Sequence, residues 1–277
     1  MKTVKLPSGE KVPAFGMGTW NMGDEPRVRQ EEIATLRLGL DLGAGLIDTA
    51  EMYGDGRSEE LVGEAISGQR DQVFLVTKVL PSNASRRGMA AACERSLRRL
   101  KTDRLDLYLL HWPGSVPISE TIEGFLDLQQ AGHIRHFGVS NLDLDEMRAC
   151  WSAPGGRGVQ TNQLLYNLTR RSMEWDLLPW LRKHGIPVMA YSPIEQALLL
   201  KQPQLVKFAT RHGLTPAQAA LAWLLAMDDI IVIPKTSRRE RLKENLGALN
   251  HPLTREQLSD LDRLFPPPVG PQPLDML

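Results

Sequence analysis

The strongest constraint on the fold is an alternation of short apolar segments with longer amphipathic ones, repeated eight times along the chain. Short apolar segments are typical of buried strands, and longer segments with a period near 3.6 residues are typical of helices. The predicted strands are residues 15–20, 46–49, 73–78, 105–111, 135–139, 159–162, 187–191 and 230–234. The predicted helices are residues 31–42, 58–66, 88–100, 119–131, 144–151, 173–184, 204–212 with 216–227, and 239–246. Eight such units in 277 residues are the number expected of a (β/α)8 TIM barrel.

The alternative architecture is a doubly wound parallel sheet. That fold usually carries a G-x-G-x-x-G phosphate motif after its first strand, and here Gly16-Met17-Gly18 has Asn21 in place of the third glycine. We therefore predict one α/β domain, a (β/α)8 barrel, over residues 1–277. An N-terminal β-hairpin (4–6 and 11–13) is expected to close the barrel floor. A C-terminal extra helix (254–264), with capping-box spacing of Thr254 and Gln257, precedes an extended proline-rich tail (266–277).

Composition excludes several classes of partner. Thirty-three basic and 33 acidic residues give no net charge, so no global field would recruit nucleic acid or a membrane surface. The most apolar helical segment, 217–227, is about half the length that spans a bilayer. Cys93 and Cys150 are too few for a disulfide framework and show no metal-ligand spacing. We expect a cytoplasmic monomer with a small-molecule substrate and no metal.

Polar residues end three successive predicted strands, namely Asp48, Lys78 and His111. A single polar residue at a strand end more often has a structural role than a catalytic one. The carboxyl ends of neighbouring barrel strands meet at one mouth, however, so the three residues together predict a cluster of side chains there. Tyr53, on the loop that follows Asp48, can fold over the same mouth. A neighbouring Lys78 ammonium is expected to lower the Tyr53 pKa, making the tyrosine a usable general acid for a carbonyl oxygen. Asp48 would hold Lys78, and His111 would donate a second hydrogen bond; the missing reactant is a hydride donor.

The later strands end in groups suited to a dinucleotide. The hydroxyl of Ser140 and the amides of Asn141 and Gln163 are suited to hydrogen-bond the carboxamide of a nicotinamide. Tyr191, followed by Ser192 and Pro193, offers a flat ring against which the nicotinamide could stack. The last strand is followed by Lys235, Thr236, Ser237, Arg238, Arg239 and Arg241 at a helix start, a pattern typical of a phosphate site. The alternative for this basic cluster is a solvated helix face; its position after the last barrel strand favours phosphate.

Five segments in order carry a family resemblance: residues 16–20, 46–53, 105–113, 138–141 and 233–235. Through them the chain resembles the aldo-keto reductase family. The resemblance implies NADPH as cofactor and a catalytic set of Asp48, Tyr53, Lys78 and His111. It also implies that Lys235 and Arg241 hold the 2′-phosphate. The predicted cofactor-binding residues are Gly18, Thr19, Trp20, Asp48, Ser140, Asn141, Gln163, Tyr191, Ser192, Pro193, Lys235, Thr236, Ser237, Arg241, Glu244 and Asn245.

Two departures from the family pattern stand near the predicted cofactor site. Thr236 replaces a common serine, and Ile194-Glu195-Gln196 stands where leucine and glycine are frequent. The length and the Leu274-Asp275-Met276-Leu277 ending resemble those of bacterial methylglyoxal reductases. The predicted substrate-binding residues are Trp20, Tyr53, His111 and Trp112, with Met22 and Met52 as further candidates at the mouth.

The leading hypothesis is an NADPH-dependent reductase of aldehydes and ketones, with 2-oxoaldehydes such as methylglyoxal as first candidates. A second hypothesis is a redox-sensing regulatory subunit that binds NADPH without turnover, because barrels of this family also serve that role. A third, a metal-assisted or phosphate-handling enzyme, lacks a convergent His and carboxylate ligand set in the sequence.

Overall fold

The computed structural model describes residues 2–277. Its ten strands are β1 (Thr3–Lys5), β2 (Lys11–Pro13), β3 (Gly16–Gly18), β4 (Leu46–Asp48), β5 (Phe74–Val79), β6 (Leu105–Leu110), β7 (Ile134–Ser140), β8 (Val159–Leu165), β9 (Val188–Tyr191) and β10 (Ile230–Val232). Its ten α-helices are α1 (Arg29–Asp41), α2 (Arg57–Ala65), α3 (Arg86–Leu100), α4 (Ile118–Gln130), α5 (Leu144–Ser152), α6 (Leu177–Lys183), α7 (Pro203–Arg211), α8 (Pro216–Leu225), α9 (Arg239–Gly247) and α10 (Arg255–Leu264).

Strands β3 to β10 form one parallel sheet in sequence order, with helices between successive strands. The two edge strands meet through parallel bridges that pair Phe15 with Val232 and Gly18 with Lys235. Gly18 N donates to Pro234 O at 3.1 Å along this seam. The sheet therefore curls into a barrel, and the predicted (β/α)8 fold is confirmed.

The predicted hairpin closes the end of the barrel opposite the polar strand ends. Strands β1 and β2 pair antiparallel. Ser8 N donates to Gln160 Oε1 at 2.8 Å, and Glu10 accepts from Arg135 at 2.7 Å, both partners lying near the starts of their strands. These contacts place the hairpin on the barrel floor, as predicted.

Local sequence signals set several helix ends. Thr215 caps α8 in a capping box with Gln218, and Thr254 caps α10 in the same way with Gln257. The predicted helix at 173–184 is wrong in its first part, where a 3₁₀ turn at Ser172–Glu174 precedes α6. Pro179 explains the difference: proline has no N–H to donate, so it is accommodated only in the first turn of a helix.

The proline-rich tail has neither helix nor strand from residue 266 onward. It is attached near its end by reciprocal hydrogen bonds. Asp275 N donates to Ser172 Oγ at 3.1 Å, and Ser172 N donates to Asp275 Oδ2 at 3.2 Å. Over residues 2–277, every helix is too short or too polar to cross a membrane.

The close approach at the barrel seam generates a stability prediction. A Cβ on Gly18 would lie 2.7 Å from Ile233 O, a backbone atom that cannot move without opening the seam. Gly18→Ala should therefore lower the free energy of unfolding by about 1–3 kcal/mol in urea denaturation. Gly270→Ala is the control, because a Cβ there meets no atom within 4 Å. Equal stability of the two variants would contradict the tight seam.

Candidate active site

The ammonium group of Lys78 is the centre of the site at the carboxyl ends of the strands. Lys78 lies in β5 and is completely buried. Its Nζ donates to Asp48 Oδ2 at 2.8 Å, to Thr49 O at 2.8 Å and to Tyr53 Oη at 3.2 Å. Three acceptors match the three protons of the ammonium, so this buried charge is fully hydrogen-bonded.

Asp48 connects Lys78 to the opposite side of the barrel. Its second oxygen, Oδ1, accepts from Gln163 Nε2 at 2.8 Å. Asp48 ends β4 beside Gly18 of β3, whereas Gln163 lies in β8. The predicted cofactor residue Gln163 therefore contacts the predicted catalytic cluster directly, a contact that the order of residues along the chain does not reveal.

Tyr53 and His111 face each other at the mouth. Their ring centroids lie 5.8 Å apart in an edge-to-face arrangement. His111 follows β6, and its backbone N donates to Val79 O at 3.0 Å, which fixes the end of the strand against β5. Its Nδ1 is buried and has no hydrogen-bond partner in the part of the chain that the structure describes.

Burial sets the protonation states of the cluster. Burial and then the charge of Lys78 lower the pKa of His111 to about 2, so the imidazole is neutral. Burial lowers the pKa of Lys78, but Asp48 and Tyr53 outweigh it, and the net pKa is raised. Burial also raises the pKa of Tyr53. Lys78 lowers it in part, as expected, but the net shift is upward, so the prediction of a lowered pKa is wrong. Tyr53 therefore stays protonated at neutral pH.

The predicted amide groups meet beside this cluster. Asn141 has a left-handed backbone with φ 60°. Its Nδ2 donates to His111 O at 3.2 Å, and its Oδ1 accepts from Tyr191 Oη at 3.0 Å. Ser140 Oγ donates to Gln163 O at 2.9 Å. Burial raises the pKa of Tyr191 to about 12, so its hydroxyl remains a donor.

Three buried hydroxyl groups connect the ends of β3 and β4 with the start of α2 at the mouth of the barrel. Thr19 Oγ1 donates to Asp48 O at 2.9 Å, and Ser58 Oγ donates to Thr19 O at 3.0 Å. Thr49 Oγ1 donates in turn to Ser58 Oγ at 3.1 Å. The Thr19 hydroxyl is thus engaged within the protein. Ser58 was not among the predicted site residues, because serine at a helix start usually signals only a cap.

The basic residues after β10 fall into two groups. Arg239 forms a bidentate pair with Glu31, at 2.8 and 3.1 Å. Lys235, Arg238 and Arg241 have no carboxylate within 4 Å among residues 2–277. Lys235 also lies at the barrel seam, bridged to Gly18 beside Asp48.

The other predicted residues of this segment lie on the same loop and on α9. Thr236 Oγ1 accepts from Arg238 N at 3.2 Å, and Ser237 O accepts from Thr35 at 3.2 Å. Glu244 is half-buried in α9, and the neighbouring Asn245 is buried.

The segment after β9 that departs from the family pattern forms a loop with an unusual backbone. Ser192, Glu195, Gln196 and Ala197 all have left-handed backbones, and Pro193 is buried. The Glu195 carboxylate is also buried.

Two residues that the sequence did not indicate hold Glu195 in place. Arg170 donates twice to its Oε1, at 2.9 and 2.7 Å, and Asn167 donates to its Oε2 at 2.7 Å. Both lie on the distant loop after β8, so no local pattern signals the contact.

The rim of the mouth is apolar. Trp20 is 42% and Met52 40% exposed, and Trp112 is half-buried with its ring centroid 4.7 Å from that of His111. Met22 belongs instead to the hydrophobic core. Across residues 2–277, no three His, Cys, Asp or Glu side chains are grouped in a way that could hold a metal ion.

The fold and the site together define a (β/α)8 barrel enzyme whose mouth holds a buried lysine, an aspartate, a protonated tyrosine and a neutral histidine. The model of the aldo/keto reductase family matches residues 14–265. The chain belongs to this family, as its motifs predict, and it is an oxidoreductase.

Individual relatives agree with this assignment. The chain is 45% identical over 281 residues to methylglyoxal reductase YeaE of Escherichia coli K12, covering 100% of this chain and 99% of that protein. It is 32% identical to methylglyoxal reductase DkgB of E. coli O157:H7, covering 88% and 90% of the two chains. The crystal structure of an aldo-keto reductase from Klebsiella pneumoniae in complex with NADPH superposes with a TM-score of 0.97 at 48% identity, covering 100% and 99% of the chains.

The lowered pKa of His111 predicts a pH-dependent stability. Below about pH 6.5 the unfolded chain binds a proton on this imidazole and the folded chain does not, so acid favours unfolding. Between pH 6.5 and 4.5, wild type should lose about 1.4 kcal/mol per pH unit relative to His111→Gln in urea denaturation. His251→Gln, at an exposed position, controls for the loss of an imidazole and should follow wild type. Parallel curves for wild type and His111→Gln would refute a buried neutral imidazole.

Proposed function

We propose that this enzyme reduces aldehydes and ketones to alcohols with NADPH, and that Tyr53 is its proton donor. The observation that carries the proposal is the buried Lys78 ammonium, which donates to both Asp48 and Tyr53. Reduction of a carbonyl needs a hydride on carbon and a proton on oxygen. NADPH supplies the hydride when it is bound.

The residues at the mouth supply the proton and orient the substrate. Tyr53 donates its phenolic proton to the carbonyl oxygen, and the phenolate that forms is stabilised by Lys78 at 3.2 Å. Asp48 keeps Lys78 charged, since a buried ammonium without a counter-charge is costly. His111, which is neutral, adds a hydrogen bond to the carbonyl oxygen without competing as an acid.

The residues present fit the proposed cofactor. Ser140, Asn141 and Gln163 bring a hydroxyl and two amides together beside Asp48, which suits a carboxamide. Tyr191 is half-buried, and its hydroxyl is fixed by Asn141, so its ring is held for stacking on a nicotinamide.

The far end of the cofactor fits as well. Lys235 and Arg241 carry positive charge without a carboxylate partner in the described chain, next to the start of α9. They suit the 2′-phosphate that distinguishes NADPH from NADH. We assign Glu244 and Asn245 to the adenine, and the backbone at Gly18, Thr19 and Trp20 to the nicotinamide half.

We propose methylglyoxal and related 2-oxoaldehydes as the first substrates. Both E. coli relatives described above carry the name methylglyoxal reductase, and one of them is 45% identical over the full chain. The apolar rim of Trp20 and Trp112 suits small neutral carbonyl compounds. NADPH oxidation with methylglyoxal, an aromatic aldehyde, an aldose and a ketone ranks these classes. The monomeric state and the cytoplasmic location remain predictions.

Removal of the Tyr53 hydroxyl tests the proton donor. Tyr53→Phe should lower kcat about 10²–10⁴-fold, because the hydride transfer then lacks its acid, while the NADPH dissociation constant stays within about threefold. Turnover is followed by NADPH oxidation, and binding by fluorescence titration.

Tyr108→Phe is the matched control for Tyr53→Phe. It removes the same atom from a buried tyrosine whose hydroxyl has no partner among the described residues. It should leave kcat unchanged. A Tyr53→Phe variant that turns over like Tyr108→Phe would disprove the acid assignment.

The 2′-phosphate assignment is tested by cofactor preference. The double variant Lys235→Ala/Arg241→Ala should weaken NADPH about 10- to 100-fold and NADH less than about threefold, since only NADPH carries the extra phosphate. Arg239→Ala should weaken neither, because its guanidinium is occupied by Glu31. Equal weakening of both cofactors by the double variant would show that the assignment is wrong.

A further inference from the structure

A buried carboxylate outside the proposed proton-transfer chemistry lies between the loop that carries Tyr53 and the loop that follows the strand of Lys78. Glu51 is 8% exposed. Its Oε1 accepts from Leu80 N at 2.8 Å and from Asn83 Nδ2 at 2.9 Å. Glu51 precedes Tyr53 by two residues, and Leu80 follows Lys78 by two residues. The side chain therefore joins the two segments next to the reacting groups.

The loop that carries Tyr53 includes one unfavourable backbone conformation. Gly54, Asp55 and Gly56 follow Tyr53 with φ values of 56°, 52° and 92°. Left-handed backbone is unfavourable for Asp55, which has a Cβ. Hydrogen bonds within the turn, from Tyr53 N to Ala50 O at 3.1 Å and from Asp55 N to Met52 O at 3.2 Å, and contacts on either side offset this cost.

The two sides of the turn are attached to different strands of the barrel. On the far side, Ser58 Oγ is bound to Thr19 and Thr49, so that end is attached to β3 and β4. On the near side, the Glu51 side chain binds the loop after β5, and its backbone N donates to Lys78 O at 3.4 Å. Glu51 thus attaches the tyrosine loop to the strand of Lys78.

We propose that Glu51 is a positioning residue that holds Tyr53 at hydrogen-bonding distance from Lys78. The inference rests on the proposed function of Tyr53 as proton donor. The Tyr53–Lys78 separation is 3.2 Å, near the long end of an N–H···O bond, so a small displacement of the tyrosine loop relative to β5 breaks it. A misplacement of about 1 Å at a reacting group can cost about 100-fold in rate.

Glu51 holds the tyrosine loop through its carboxylate oxygen as a hydrogen-bond acceptor, rather than through its negative charge. Its only ion pair in the described chain is with Arg95 at 3.6 Å, and the Arg95 side chain is 41% exposed. The 3.6 Å between Arg95 Nη2 and Glu51 Oε2 lies beyond hydrogen-bonding range, so this pair does not fix the position of the loop. Glu51→Gln keeps an oxygen for Leu80 N and Asn83, whereas Glu51→Ala removes it.

The experiment compares wild type, Glu51→Ala, Glu51→Gln and Ser85→Ala. Ser85→Ala is the control: it removes the α3 cap, which lies on the same loop after β5, without touching Glu51. The readouts are kcat and KM with methylglyoxal, NADPH binding by fluorescence, and the crystal structure of each variant.

We expect kcat of Glu51→Ala to fall about 10- to 100-fold, with KM and the NADPH dissociation constant within about twofold. The Tyr53–Lys78 distance should exceed hydrogen-bonding range in its crystal structure. Glu51→Gln should restore kcat to within about threefold of wild type, and Ser85→Ala should keep the wild-type kcat.

Three results would overturn the proposal: an unchanged Tyr53–Lys78 distance in Glu51→Ala, an equal loss of kcat in Ser85→Ala, or no restoration in Glu51→Gln. If wild type fails to oxidise NADPH with any carbonyl, the proposed function fails. The crystal structures still decide whether Glu51 holds the two groups together.

Discussion

The burial of one positive charge constrains the rest of this structure. An ammonium group taken fully out of water is stable only if counter-charge and acceptors replace its hydration. For Lys78 they come from Asp48, Thr49 and Tyr53, which all belong to the end of β4 and the loop after it. The barrel must therefore close tightly enough to keep these strand ends in register, and the tyrosine loop must fold back over the mouth.

The same burial explains the electrostatics of the mouth. Low polarity and the nearby ammonium keep His111 neutral, and the raised pKa of Tyr53 keeps its proton in place. In the proposed function the two side chains act on one carbonyl oxygen in different ways, Tyr53 as an acid and His111 as a hydrogen-bond donor. The arrangement is consistent with carbonyl reduction in the aldo/keto reductase family, to which the chain belongs.

Much of the fold was predictable because its signals are local. Alternating apolar segments indicated the strand and helix order, and Thr254 marked a helix start that the structure confirms. The exception, the first part of the predicted helix at 173–184, follows from Pro179, whose missing N–H moves the helix start to Leu177. The strand-end positions of Asp48, Lys78 and His111 were likewise visible, since a parallel barrel collects its strand ends at one mouth.

The sequence by itself determined which residue types lie at the mouth and to which family the chain belongs, because motifs and hydrophobic periodicity depend on residues that are close together in the sequence. Only the tertiary structure decided which of these residues touch. It brings Gln163 to Asp48, Arg170 to Glu195 and Glu51 to Leu80 across 115, 25 and 29 positions. It also decided that Tyr53 has a raised rather than a lowered pKa. Both outcomes depend on burial and on contacts between distant segments, and these exist only once the barrel has closed.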